Sequence, residues 1–99
     1  MKITRFDTVS GGSKAPHPHS GKLVFRPDTA SEHNTLAGFI EDGIGQFVTD
    51  EVSTSRTFPN EGITAWVSAT TADKVRETLD KIIIAFRKRM SVRVTRRSG

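Results

Sequence analysis

The stretch "ITAWVSATTADKVRETLDKIIIAFRKRM", residues 63–90, predicts a strand that leads directly into a long helix. Residues 63–69 are rich in β-branched and aromatic side chains, which are typical of strands. Thr70 and Asp73 have the spacing of a capping box, so we expect a helix from about Ala72 to Met90. Its apolar residues recur at helical spacing and predict one buried face. These residues are Val75, Leu79, Ile82, Ile83, Phe86 and Met90.

The residues before this stretch predict a second helix and a hairpin. "DTASEHN" offers Asp28 or Thr29 as an N-cap, with Glu32 completing a capping box. Apolar residues follow at helical spacing, and the glycines at 43–45 predict where this helix ends. Residues 47–58 are rich in β-branched side chains, and "FPNEG" is typical of a turn. Residues 47–58 and 63–69 should therefore form an antiparallel hairpin.

The remaining segments complete an α+β fold. Residues 2–9 and 22–27 have the composition of strands, 10–21 have that of a flexible loop, and "SVRVTR" near the C-terminus alternates like a short strand or ordered tail. Strands and helices do not alternate singly, which favours an antiparallel sheet of three or more strands with two helices packed on one face. The expected core is Leu23, Phe25, Leu36, Phe39, Ile40, Ile63, Val67, Val75, Leu79, Ile82, Ile83 and Phe86.

The chain is predicted to be a single small domain with two appended segments. Residues 22–90 would form the α+β domain, residues 1–21 an N-terminal strand and flexible loop, and residues 91–99 a basic strand or tail. At 99 residues the core is marginal, so self-association into a homodimer is expected. No segment has the apolar length needed to span a membrane, and no membrane partner is expected.

Positive charge is concentrated at the C-terminus. Residues 1–86 carry 9 basic and 11 acidic side chains, whereas residues 87–99 carry 6 basic and none acidic. Arginine can hold a phosphate through two hydrogen bonds, so a cluster of this kind favours polyanions such as nucleic acid or an acidic protein surface. The expected phosphate contacts are Arg87, Lys88, Arg89, Arg93, Arg96 and Arg97.

No catalytic or metal-binding motif is evident. The chain has no cysteine, no tyrosine and no G-x-S-x-G segment, and its adjacent carboxylates do not have the arrangement of an acid–base pair. His17, His19 and His33 could bind zinc or nickel only if the loop folded over the first helix. We therefore expect no enzyme activity, no cofactor and no metal site. A chain without disulfides is compatible with the cytoplasm, which is the expected location.

Two apolar residues are candidates for a partner interface. Ile84 points away from the predicted apolar face of the second helix, among charged side chains. Trp66 lies on a predicted strand, where it could pack in the core, join an interface or stack on a base. Ile84 and Trp66 are therefore the expected contacts with a second copy or another protein.

Residues 22–90 resemble the small dimerising subunit of the KEOPS tRNA-modification complex. "KLVFRP" runs into the helix "TASEHNTLAGFIED", a hairpin follows, and "SATTADKVRETLDKIIIAFRKRM" leads through a small turn into a long helix. In that helix Val75, Arg76, Leu79 and the isoleucines at 82–83 occupy comparable places. The resemblance implies a non-catalytic homodimer that binds the kinase-like catalytic subunit and helps hold tRNA during threonylcarbamoyl-adenosine formation.

Together these features predict a non-enzymatic subunit that self-associates and binds RNA, possibly tRNA, through its basic C-terminus. The alternative is a small protein-binding module, such as a viral or bacterial inhibitor or a structural subunit of an assembly. An enzyme would require one of the three histidines to converge with a carboxylate in a pocket.

Overall fold

Two helices pack on one face of a five-stranded sheet. The computed structural model describes residues 1–9, 17–57, 63–89 and 92–97, and the backbone alone at 42, 43, 96 and 97. The strands are β1 (Lys2–Phe6), β2 (His19–Arg26), β3 (Val52–Thr57), β4 (Ile63–Ala69) and β5 (Arg93–Arg97). Across the sheet their order is β3-β4-β2-β1-β5. The predicted α+β class, with both helices on one face, is confirmed.

Helix α1 (Ala30–Gly43) begins at the predicted capping box. The Thr29 Oγ1 accepts a hydrogen bond from the Glu32 backbone N–H at 3.1 Å, and Glu32 Oε1 accepts one from the Asp28 backbone N–H at 2.8 Å. These bonds satisfy backbone donors that the first turn of a helix leaves without partners. The helix is followed by a short 3-10 helix, Ile44–Phe47, so the predicted strand at 47–58 begins only at Val52.

Helix α2 (Ala72–Arg87) also begins beside the predicted cap. Its N-cap is Thr71, whose Oγ1 accepts from the Lys74 backbone N–H at 3.2 Å, rather than Thr70. The described helix ends at Arg87, and Met90 lies outside the described residues. Within the described ranges neither helix could cross a lipid bilayer.

The buried face of α2 packs on β2 and β4, and α1 lies beside it. Three phenylalanines join these elements: the Phe86 ring centroid is 5.4 Å from that of Phe25 on β2 and 5.1 Å from that of Phe39 on α1. All twelve predicted core residues are buried. The core also includes residues not predicted, and these are Met1, Ile3, Ile44, Val52, Ala65 and Ala69.

Strands β1 and β5 form a parallel pair at one edge of a sheet that is otherwise antiparallel. Lys2 is opposite Arg93, and Phe6 is opposite Arg97. On its other side β1 pairs with β2 in the antiparallel direction, with Lys2 opposite Arg26. Of the N-terminal loop predicted at 10–21, residues 10–16 lie outside the described residues, and His19–Gly21 already belong to β2.

The Glu32 carboxylate should make the stability of the fold depend on acidic pH. The hydrogen bond from the Asp28 backbone N–H, together with the Met1 ammonium 3.1 Å away, lowers the pKa of Glu32 from its ordinary value of 4.5. A carboxyl whose pKa is lower in the folded state stabilises the fold above its unfolded pKa and loses this contribution as pH falls through its folded pKa. Thermal unfolding should therefore show a deficit for Glu32→Gln that is largest at neutral pH and shrinks below about pH 4.5.

The matched control for this prediction is Glu41→Gln, which removes an exposed carboxylate from the same helix. It should not reproduce the pH-dependent deficit of Glu32→Gln. Equal behaviour of the two variants between acidic and neutral pH would contradict the role of the capping interaction.

Candidate functional site

The predicted basic C-terminal residues do not share one surface. Arg87, Lys88 and Arg89 are exposed at the end of α2, on the helix side of the sheet. Arg93 is exposed at the start of β5 and faces the opposite side, together with Lys2. At Arg96 and Arg97 only the backbone is described. The described cations are therefore divided between the two faces of the sheet.

Two cations at the end of α2 lie beside other elements of the fold. The Arg89 guanidinium carbon lies 5.0 Å from the centroid of the Phe39 ring, and this cation–π contact covers one end of the core. Arg87 lines a groove between α2 and the β1–β5 edge. These positions agree with the general preference for cations at the C-terminal end of a helix.

The two predicted interface residues also lie on opposite sides of the sheet. Ile84 is 55% exposed on α2 and lines the same groove as Arg87. Trp66 is half-buried on β4 and faces away from the helices, with its Nε1 donating to Thr57 Oγ1 at 3.4 Å. The structure therefore does not bring Ile84 and Trp66 into one patch.

The face of the sheet opposite the helices, called here the open face, carries a row of cations that sequence analysis missed. Arg26, Lys2 and Arg93 stand directly opposite one another on β2, β1 and β5. Lys2 and Arg93, with Thr95, line a polar hollow of about 220 Å³. Among the described residues, neither Lys2 nor Arg93 has a carboxylate within salt-bridge distance. Lys2 and Arg93 are therefore open to an anion from outside the chain.

A second row on the open face is aromatic. Phe6, Lys22 and Trp66 are cross-strand neighbours on β1, β2 and β4. The Lys22 ammonium lies 4.8 Å from the Phe6 ring centroid and 5.0 Å from that of Trp66. The lysine is thus held between two half-exposed rings by cation–π contacts. No described strand residue on the open face is acidic.

The helix side of the same sheet edge contains a buried arginine. Arg5 is only 3% exposed, and its guanidinium donates to the carboxylates of Asp7 and Asp80 and to the Arg76 carbonyl oxygen at 3.3 Å. Burial alone would lower the pKa of Arg5, but the hydrogen bonds to Asp80 and Asp7 raise it above its ordinary value. Arg5 is therefore a structural cation at the base of the groove, already engaged by the chain's own acids.

The three histidines do not converge. The His17 Nε2 lies 3.2 Å from the Asp50 carbonyl oxygen, whereas His19 and His33 are exposed on β2 and α1. Among residues 1–9, 17–57, 63–89 and 92–97, no three His, Asp or Glu side chains are placed to hold a metal ion. His17, His19 and His33 therefore do not form a shared metal site.

Comparisons with known proteins give little information about this site. No protein-family model and no curated protein matches the chain. A solved structure that resembles it is the essential ribosomal processing protease Prp from S. aureus, in complex with a covalently linked product peptide. The match covers 97% of this chain and 98% of that chain, with a TM-score of 0.44 and 8% sequence identity. A likeness of this strength assigns no active-site residue and no activity to the chain.

These comparisons nevertheless correct the functional expectations from sequence. The resemblance to the KEOPS subunit is wrong. No family model and no curated protein supports it, and the similar solved structure is that of a protease. The expectation of a non-enzymatic RNA-binding subunit in tRNA processing is corrected together with that resemblance, and the alternative of an inhibitor or structural module has no support either. The pattern over 22–90 misled because its order of one strand, a helix, a hairpin and a helix is common to many α+β domains.

Proposed function

We propose that the open face of the sheet binds a nucleotide, the phosphate at the cationic row and the base on the aromatic row. The observation that carries this proposal is the direct alignment of Arg26, Lys2 and Arg93 on three neighbouring strands. Nucleotides combine the two chemistries that the face offers, a phosphate anion and a flat ring. Phosphorylated nucleotides are abundant in the cytoplasm, and we place the binding there.

Electrostatic repulsion between Lys2 and Arg93 favours an anionic ligand. Side chains directly opposite on neighbouring strands have Cβ atoms about 4.5–5.5 Å apart, and like charges at that distance destabilise the pair. A phosphate in the hollow between Lys2 and Arg93 would relieve this repulsion, and the Thr95 hydroxyl could donate a further hydrogen bond. Part of the binding energy would thus come from relief of the charge repulsion in the free protein.

The aromatic row supplies a stacking surface for the base. Stacking on an aromatic side chain contributes about 1–3 kcal/mol per base and depends little on base identity. Lys22 lies between Phe6 and Trp66, so its charge is available to a phosphate close to the stacked base. Lys2 and Phe6 are four residues apart on β1, or about 13 Å. A ligand that contacts both rows must therefore be elongated, as a nucleoside diphosphate such as ADP is when its phosphates are extended.

The chain's single tryptophan makes this proposal directly measurable. Titration with ADP should quench Trp66 fluorescence. Each of Lys2→Ala and Arg93→Ala should weaken binding by about tenfold, the cost of one charge-assisted hydrogen bond. Binding of ADP should also weaken as salt increases.

The matched control is Lys81→Ala, which removes the same charge from the exposed side of α2. It should leave the affinity within about twofold of the unaltered protein. If Lys81→Ala weakens binding as much as Lys2→Ala does, net charge alone is responsible and the site is wrong. Failure of ADP to change the fluorescence of Trp66 would overturn the proposal.

A further inference from the structure

We propose that the outer edge of β5 accepts an acidic, extended segment of a partner protein as a sixth strand of the sheet. The backbone of β5, the groove beside it and the charges along it each support this proposal. It uses the outer edge of the sheet rather than its open face. The two surfaces share Arg93, but neither proposal depends on the other.

The backbone of β5 has unpaired groups on its outer side. The Arg93 backbone N–H donates to the Met1 carbonyl oxygen at 3.1 Å, so it points toward β1. Backbone groups of successive strand residues point alternately to the two sides, and those of Val94 and Arg96 therefore point outward. In the described part of the chain no strand pairs with this side of β5. An exposed edge of this kind is a template for another strand.

The groove beside this edge can take apolar side chains of the added strand. It measures about 570 Å³ and is lined by Ile83, Ile84 and Val94, with charged residues at its rim and base. Val94 is opposite Ile3, on the helix side of the sheet. A partner residue placed next to Val94 would therefore project into the groove and cover Ile84, which is 55% exposed. The added strand would thus bury a large apolar side chain that α2 leaves exposed.

The charges of β5 select the chemistry of the partner. Its sequence, Arg-Val-Thr-Arg-Arg, has three cations and no acid. Antiparallel pairing of two copies centred on Thr95 would place Arg93 of one opposite Arg97 of the other, which is unfavourable. A strand with acidic residues on its open-face positions would instead meet opposite charges, and alternate apolar residues would enter the groove. The partner segment is therefore expected to alternate acidic and apolar residues.

Amide hydrogen exchange can test this prediction with a defined peptide. The probe is the capped peptide EVDLEVD, and its charge-reversed counterpart KVKLKVK is the control ligand. EVDLEVD should slow exchange at the Val94 and Arg96 amides, which point outward, and leave the Arg93 amide unchanged because it is already bonded to β1. KVKLKVK should protect neither amide.

A pair of substitutions at one position separates backbone pairing from charge. Arg96→Pro removes the outward N–H and the charge, whereas Arg96→Ala removes the charge alone. Proline is tolerated on an edge strand where its missing N–H would face solvent. Arg96→Pro should weaken EVDLEVD binding by about tenfold more than Arg96→Ala does, the cost of a lost backbone hydrogen bond in a pairing strand. Lys2→Ala, which weakens nucleotide binding, should leave peptide affinity within about twofold.

Three results would overturn the inference. The first is unchanged exchange of the Val94 and Arg96 amides at saturating EVDLEVD, a measurement that needs no variant to fold. The second is equal binding of KVKLKVK. The third is protection of both amides that rises with protein concentration in the absence of peptide, because a second copy would then occupy the edge.

Discussion

Phe86→Ala is expected to remove about 3–5 kcal/mol of folding free energy, the usual cost of truncating a buried phenylalanine. The Phe86 side chain is fully buried, and its ring contacts those of Phe25 and Phe39. It therefore joins α2 to both β2 and α1, and its loss leaves a cavity between three elements. Domains of this size are stable by only about 5–15 kcal/mol, so the variant should lose a large fraction of its stability and unfold at a clearly lower urea concentration.

Urea denaturation measures this effect, and Ile84→Ala is the matched control. Ile84 lies two residues earlier on the same helix but is exposed, so its truncation should cost no more than about 0.5 kcal/mol. Similar losses for both variants would mean that α2 does not present the Phe86 face to the sheet.

Gly21→Ala is expected to destabilise the protein by about 1–3 kcal/mol through overpacking. A Cβ at this position would lie 2.8 Å from the Phe6 carbonyl oxygen, 2.8 Å from Val75 Cγ1 and 2.9 Å from Leu79 Cδ1. The contact with a backbone oxygen cannot be relieved by rotating a side chain. Gly21 thus allows α2 to approach β2 where a larger residue would separate them.

Gly38→Ala is the control for this substitution, and its effect should have the opposite sign. Gly38 lies inside α1, and a Cβ there meets no atom within 4 Å. Alanine is a better helix former than glycine, so this variant should gain about 0.5–1 kcal/mol. Thermal unfolding of the two variants should therefore shift in opposite directions, and destabilisation by both would contradict the packing described for Gly21.

Local signals in the sequence were sufficient for the helices and the hairpin. Capping residues Thr29 and Glu32 act within one turn, and the apolar spacing of α2 reports directly which side is buried. The parallel pairing of β1 with β5 was not predicted because it joins residues from opposite ends of the chain, and its register is not encoded in either segment alone. The sequence does not predict the burial of Arg5, because one of the two acids that compensate its charge is Asp80, which lies 75 residues away in the chain.

The candidate site was missed for a related reason. The near charge balance of residues 1–86 conceals the cations at Lys2, Lys22 and Arg26. A useful signal is present in β2, where Lys22 and Arg26 alternate with buried apolar residues. That signal identifies a basic face of β2, but it takes the pairing of β1 with both neighbours to align Arg26, Lys2 and Arg93.

The pairing of β1 with β5 has a consequence for biosynthesis. Strand β1 leaves the ribosome early, yet its parallel neighbour cannot reach it until residues 93–97 have also emerged. During translation β1 therefore has an unpaired edge, with which strands of other nascent chains could pair. Closing so large a loop is slow, and we expect the synthesis of residues 93–97 to control when this edge of β1 is protected from aggregation.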